Sequence, residues 1–365
     1  MNILYTESSP NVGGQELQAI AQMLAFQRAG HRVMLACRQN SRIAGEAEKH
    51  ALTVRYVPFR NSLHLPSVIA LGRLIRTFRP QMVICHSGHD SNTVAITRAI
   101  LPGRDGRFCV IRQKTYLTRN MKMFSLNWLC DAVAVPGLAM KETLLKAGCR
   151  RPVSVVTPGF DFAALRREKM CPLPEHIRLW LKAREAAPVI VQTGMLRPEK
   201  GHDFMLKTLF HLKRAGWRFH WLIVGAGTPE AEKKLQTAIT ELGMEDCVLM
   251  CGKLSPVAPV YQVASLMVMP SRNEAFGMAL VEAVACGVPV MASDTGGIPA
   301  VLRNGRNGTL LPPDDRDAWL RALGVFFTRA DRAQAMACRA RTDMEARFGI
   351  DGTISRLLAL GSLKR

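Results

Sequence analysis

The chain has 365 residues, 48% of them hydrophobic and 21% charged. That balance fills about two domains and excludes a largely disordered chain. No apolar run reaches the roughly 18 residues of a membrane span. MNILYTESS opens on a strand-like run, with no basic start ahead of an apolar stretch. No export signal is therefore expected, and the location is read as cytoplasmic. Lys and Arg outnumber Asp and Glu by 49 to 29, for a net charge of +20. Up to Leu165 there are 21 basic and 9 acidic residues, so +12 of the excess lies in that half. Such a surface suits an anionic membrane face, nucleic acid or phosphate-rich ligands, with plain solubility as the alternative. RNA binding needs stacking aromatics beside the charge; aromatics are 6% and unclustered, so no nucleic-acid partner is expected. Ten scattered cysteines without a C-x-x-C pair read as reduced core residues.

Strand and helix then alternate along the chain. Strands are expected at residues 2–7, 32–37, 54–57, 82–85, 108–112, 132–135 and 153–157, with helical segments between most of them. Leu17, Ile20, Ala21 and Leu24 mark the first helical stripe. Residues 160–187 are charged and carry Pro172 and Pro174, with Pro188 just beyond, which suggests an irregular connection. A second series follows at 189–192, 221–224, 248–250, 266–269 and 288–292. Helices near 314–328, 331–348 and 351–360 close the chain. Repeated βα units imply parallel sheets covered by helices. The boundaries are set at 1–165 for the first domain, 166–187 for a linker, 188–345 for the second domain and 346–365 for a terminal helix. In doubly wound sheets ligands sit at the carboxyl ends of the strands.

Several turns at those ends carry chemistry. Val12-Gly13-Gly14-Gln15-Glu16 joins the first strand to the first helix; it can admit a ligand to the helix N-terminus or serve only as a tight turn. Cys85-His86-Ser87-Gly88-His89-Asp90 sets titratable side chains at a strand end, to donate hydrogen bonds, shuttle protons or satisfy one another. His-x-x-His lacks a third ligand there, so no metal is expected. In Gly194-Met195-Leu196-Arg197-Pro198-Glu199-Lys200-Gly201, Arg197 and Lys200 make a compact cationic clamp suited to a diphosphate. Val224-Gly225-Ala226-Gly227 is a glycine turn without the third glycine of a dinucleotide fingerprint. The segment Arg272–Glu282 pairs Glu274, in a loop, with Glu282, inside a helix that opens near Gly277. The N–H groups of Met278, Ala279 and Leu280 are then available to phosphate.

These motifs, in this order, resemble glycosyltransferase family 4, the retaining transferases of the GT-B fold. The resemblance rests on GGQE, GMLRPEKG, VGAGTPE, the CGKL turn, PSRNEAFGMALVEAVACGVPV and DTGGIPAVL, and covers nearly the whole chain. CHSGHDSN and VIRQKTYLTRN are similar to patterns of lipopolysaccharide and polysaccharide members, with Cys85 for Thr and Lys114-Thr115 where Arg-His is usual. The resemblance implies an α/β fold of two Rossmann-like domains facing across a cleft. It implies a UDP- or GDP-sugar donor and a lipid-linked surface-glycan acceptor, bound by the first domain. Glu274 would contact the donor sugar and Glu282 the ribose. Arg197 and Lys200 would hold the diphosphate, assisted by the turns at Gly13-Gly14 and Gly225 and by Phe276, Gly277, Met278 and Ala279. Lys253-Leu254 would receive the base, and His86 or Asp90 would face the reacting sugar. No D-x-D motif stands out, so metal-independent transfer is expected. The N-terminal basic excess, with Arg73, Arg76 and Arg79, suits peripheral attachment to the inner face of the inner membrane. The alternatives are a sugar-nucleotide epimerase of the same architecture and a non-catalytic sugar-nucleotide-binding protein.

Overall fold

The computed structural model describes residues 1–10, 13–115 and 123–362. Two compact units are present, Met1–Phe160 with Phe348–Arg365, and Asp161–Arg347.

In the first unit the strands are β1 (Asn2–Glu7), β2 (Arg32–Cys37), β3 (Thr53–Tyr56), β4 (Met82–Cys85), β5 (Cys109–Gln113), β6 (Ala132–Val135) and β7 (Val153–Val155). The helices are α1 (Gly14–Arg28), α2 (Arg42–Lys49), α3 (Leu65–Phe78), α4 (Gly88–Ile100), α5 (Met123–Trp128) and α6 (Leu138–Lys146). The sheet order is β3-β2-β1-β4-β5-β6-β7, with every pair parallel. Central strands such as β4 and β6 are buried at every residue, which is why they read as unbroken apolar runs. The order reverses between β1 and β4, so Glu7 and His86 end neighbouring strands at the switch point.

The second unit has β8 (Val189–Thr193), β9 (His220–Val224), β10 (Val248–Gly252), β11 (Leu266–Met269), β12 (Val290–Ser293) and β13 (Thr309–Leu311). They are ordered β10-β9-β8-β11-β12-β13, again all parallel. Around them lie α7 (Phe162–Lys169), α8 (Glu175–Lys182), α9 (His202–Arg214), α10 (Pro229–Glu241), α11 (Met278–Ala285), α12 (Ile298–Val301), α13 (Arg316–Thr328) and α14 (Ala330–Phe348). Trp221 and Trp319 are wholly enclosed in its core. The switch point falls between β8 and β11, below the Arg197 and Glu274 loops. The chain then re-enters the first unit as α15 (Ile350–Gly361), whose Ile350, Ile354, Leu357 and Leu360 join the core beneath α1.

Three features differ from the sequence pattern. Residues 166–187 are not an irregular linker. Asp161 accepts the Ala164 N–H at 2.9 Å and starts α7, and Pro174 opens α8 rather than breaking a helix. Both belong to the second unit, where Lys169 Nζ donates to the Cys286 carbonyl at 2.6 Å. Leu17 is exposed, because the inner face of α1 is partly polar. Gln18 donates to and accepts from the Gly159 backbone (3.0 and 2.9 Å), and Gln22 accepts the Tyr5 hydroxyl at 3.0 Å. β13 is three residues long, too short for a periodic signal.

Candidate active site

In the second unit, Pro198–Lys200 forms a 3₁₀ turn between Arg197 and Gly201. Residues three apart on such a turn eclipse, which sets Arg197 and Lys200 on one side. Arg197 is 57% exposed, with Glu199 3.8 Å away. Lys200 is more enclosed and its Nζ reaches Glu274 Oε2 at 2.5 Å. The expected clamp is therefore asymmetric, one arm exposed beside Glu199 and one held more tightly by the loop glutamate.

Glu274 is fixed through its backbone. Its carbonyl accepts the Gly297 N–H at 2.8 Å. A Cβ on Gly296 would meet that carbonyl oxygen at 2.1 Å, and one on Gly297 would meet the Ala275 oxygen at 2.0 Å. Only glycine fits either place. Arg272 locks the same loop from the other side. Its guanidinium donates to Asp314 (2.9 and 3.0 Å), to Asp203 (3.1 and 3.3 Å) and to the Pro198 carbonyl (2.8 Å). Arg272 thus ties the Glu274 loop to the clamp turn.

Helix α11 starts at Met278, with Gly277 left-handed (φ +93°) as its N-cap. The Leu280 N–H is already donated to the Gly277 carbonyl at 3.0 Å, so Met278 and Ala279 are the candidates for anion contact. Phe276, two residues before the helix, is buried. Glu282 is half-buried on the second turn. Burial, and then the charge of Glu168, push its carboxyl up to about 7. A carboxyl so poised gains from hydroxyl donors that would hold it ionised.

Gly225 carries a different duty from the one its motif suggests. Its N–H is spent on the Gly252 carbonyl at 2.9 Å, and a Cβ there would meet the Gly194 oxygen at 1.8 Å. The β9 turn therefore buttresses the clamp turn, with Leu196 N–H donating to the Ala226 carbonyl at 3.0 Å. Lys253 is exposed and Leu254 half-buried just after β10.

In the first unit, the Gly13 N–H donates to Glu16 Oε2 at 2.7 Å and so is not open to an anion; Gly14 begins α1, and Val12 lies outside the described residues. Asp90 is also committed. It is fully buried and accepts from Thr6 Oγ1 (2.9 Å), the His86 N–H (3.1 Å), and the Ser87 N–H and Oγ (2.8 and 2.5 Å), closing the cap of α4. That leaves no free edge for a sugar, which corrects its assignment beside His86. His86 is buried within reach of the Thr6 backbone and the Gln113 side chain, stacks on Tyr5 at 5.9 Å, and is held down to about 4 by burial. His89 is exposed, with Nδ1 3.3 Å from Ser62 Oγ. Lys114 and Thr115 end the described part of VIRQKTYLTRN, and residues 116–120 lie outside it. Among the described residues no group of three or more His, Cys, Asp or Glu side chains gathers as a metal cage, and no helix is long and apolar enough to cross a membrane.

Residues 187–328 match the family model for glycosyl transferases group 1, and residues 12–164 that for Glycosyltransferase Family 4. The chain belongs with the family 4 glycosyltransferases. Its fold is that of Anabaena HepE solved with UDP and glucose, at a TM-score of 0.82 and 19% identity, over 99% of each chain. The lipopolysaccharide outer core galactosyltransferase WaaB, in its apo form, aligns at 0.71 and 19%, also over 99% of each. A D-inositol 3-phosphate glycosyltransferase of Mycobacterium marinum is 32% identical over 215 residues, covering 57% of this chain and 44% of the relative. The chain spans about half the length of the curated relatives it matches. For a family 4 chain, the residues that motif reading left without a role are Arg272, Gly296 and Gly297. All three stand inside quoted motifs, yet their partners Asp203, Asp314 and Ala275 are set by the fold.

Proposed function

We propose that the chain transfers a hexose-type sugar from a nucleoside-diphosphate donor to a lipopolysaccharide core, O-antigen or other surface-glycan acceptor, with retention and without a metal. One observation carries this reading. Lys200 pairs with Glu274 in the loops beyond the switch point of one Rossmann-like unit, and Glu282 stands one turn into α11, the helix that follows the Glu274 loop. Charge that builds on a leaving diphosphate would meet Lys200, Arg197 and the Met278 and Ala279 N–H groups where it develops. Lys200 would let go of Glu274 as phosphate arrives, freeing that carboxylate for sugar hydroxyls. The clamp supplies positive charge that a divalent ion would otherwise bring. UDP and glucose in the Anabaena structure, and the name of the galactosyltransferase, support the donor and acceptor classes.

The basic excess of the N-terminal half supports an anionic acceptor and peripheral attachment to the inner membrane face from the cytoplasmic side. It equally favours a second reading, a small phosphorylated acceptor of the kind in the Mycobacterium marinum relative's name. A thermal-shift panel of UDP- and GDP-sugars tests the donor, since a ligand that binds the native state raises its stability by mass action. Stabilisation by one nucleotide series is expected; none from either would reject the reading. Recovery of an epimerised sugar nucleotide without transfer would favour the epimerase instead.

A further inference from the structure

Each carbonyl of the Pro198–Lys200 turn has a donor. Pro198 accepts Arg272 Nη1 at 2.8 Å, Glu199 accepts the Arg272 N–H at 2.8 Å, and Lys200 accepts Gln192 Nε2 at 3.0 Å. Arg272 belongs to the Glu274 loop. Gln192 comes from the sheet itself, as the penultimate residue of β8, between β9 and β11. Gly201 closes the turn at φ +71°, where a Cβ would meet the Pro270 oxygen at 2.0 Å. The Lys200 backbone is thus gripped at its own carbonyl and again one residue on.

Gln192 is out of keeping with its surroundings. Ile190, two residues earlier and so on the same face of the strand, joins the apolar core with Phe204 and Met205 of α9. Gln192 is 2% exposed, and its Oε1 has no hydrogen-bond partner among the described residues. A buried acceptor without a partner destabilises a fold. An apolar side chain would suit this stretch of core better, so packing does not explain the amide. Its bond to Lys200 does.

We propose that Gln192 is a positioning residue: it fixes the backbone of Lys200, and with it the point from which the ammonium reaches both Glu274 and an incoming diphosphate. The role in transfer rests on the function proposed above; the hydrogen bond does not. Lys200 Nζ now stands 2.5 Å from Glu274 Oε2. To serve a diphosphate it must change partners while the turn stays still. The lysine stem is flexible, so the reach of its charge is set by the backbone that carries it. Without the Gln192 donor that peptide can rotate, and the ammonium strays from the developing charge. A misplacement of about 1 Å can cost about a hundredfold in rate.

The full chain is compared as wild type, Gln192→Met, which keeps the length and removes the donor, and Gln192→Asn, which withdraws the amide by one methylene. Turnover of both is expected to fall, by about ten- to a hundredfold for Gln192→Met. The melting temperature of Gln192→Met should be no lower than that of wild type, because the unpartnered acceptor leaves with the amide. Loss of turnover that only tracks loss of melting temperature, or failure of both variants to fold, overturns the positioning role in favour of a structural one. A double-mutant cycle with Lys200→Ala then asks whether Gln192 acts through Lys200. If it does, Gln192→Met costs less than about twofold once Lys200 is alanine. An equal loss in both backgrounds, or wild-type turnover in Gln192→Met, overturns the proposal. Failure of the transfer reading looks different: wild type then releases no nucleotide from any sugar nucleotide. In that case the same cycle is read as affinity for UDP or GDP by isothermal titration. Coupling to Lys200 upholds the positioning role, additivity overturns it, and binding of neither nucleotide rejects both readings.

Discussion

The donor contact proposed for Glu282 gives the sharpest test. The Glu282 carboxyl is half-buried and raised to about 7, so at pH 8 it is about nine-tenths ionised and at pH 6 about one-tenth. If the ionised form accepts the ribose hydroxyls, the apparent affinity for a sugar nucleotide falls about tenfold from pH 8 to pH 6, or about 1.4 kcal/mol. UDP-glucose suits this assay because its diphosphate diester does not titrate in that range. Glu282→Gln keeps the shape, removes the charge-assisted bonds and lowers affinity at pH 8 by roughly 1.5–3 kcal/mol. It also flattens the pH dependence. Isothermal titration of wild type and Glu282→Gln between pH 5.5 and 8.5 decides the matter. A wild-type affinity independent of pH, or an equal slope in both proteins, would refute the assignment of Glu282.

Three further outcomes follow from named contacts. Gly297→Ala drives a Cβ to within 2.0 Å of the Ala275 oxygen, so the Glu274 loop must shift; turnover should fall at least tenfold while circular dichroism still reports the fold. Arg197→Ala and Lys200→Ala should each lower turnover, with a double mutant less impaired than the two losses combined predict, because both serve one diphosphate; strict additivity in a double-mutant cycle would separate them. Replacing Arg73, Arg76 and Arg79 with Gln should weaken sedimentation with anionic vesicles, an attraction of about 1 kcal/mol per charge that salt screens; equal binding to neutral vesicles would remove the membrane from the account.

The βα alternation and the order of motifs made most of both sheets legible, because buried parallel strands write themselves as apolar runs. Arg197, Lys200 and Glu274 stand out in the sequence because each lies in the turn after a strand, and Glu282 because it is an acid inside an apolar helix. What the pattern could not carry was pairing across the chain. Nothing near Asp90 in sequence announces that Thr6 will donate to it, and Glu7 looks like the polar end of a strand until His86 is brought beside it. Arg272 is likewise silent until Asp203 and Asp314 converge on it. On α3, Val68, Leu71 and Ile75 are buried as their spacing suggests, whereas Ile69 faces outward beyond the reach of the sheet.

The central claim is that this chain moves a sugar from a nucleoside diphosphate to a glycolipid using its own cations. Its most direct test follows release of UDP or GDP from a matched sugar nucleotide, in EDTA, with and without lipid-linked surface glycan as acceptor. Acceptor-dependent release that survives EDTA, and that fails in the Arg197→Ala, Lys200→Ala double mutant, is the predicted result. Release that ceases in EDTA and returns with Mg²⁺ or Mn²⁺, or no release with any donor and acceptor, would contradict it.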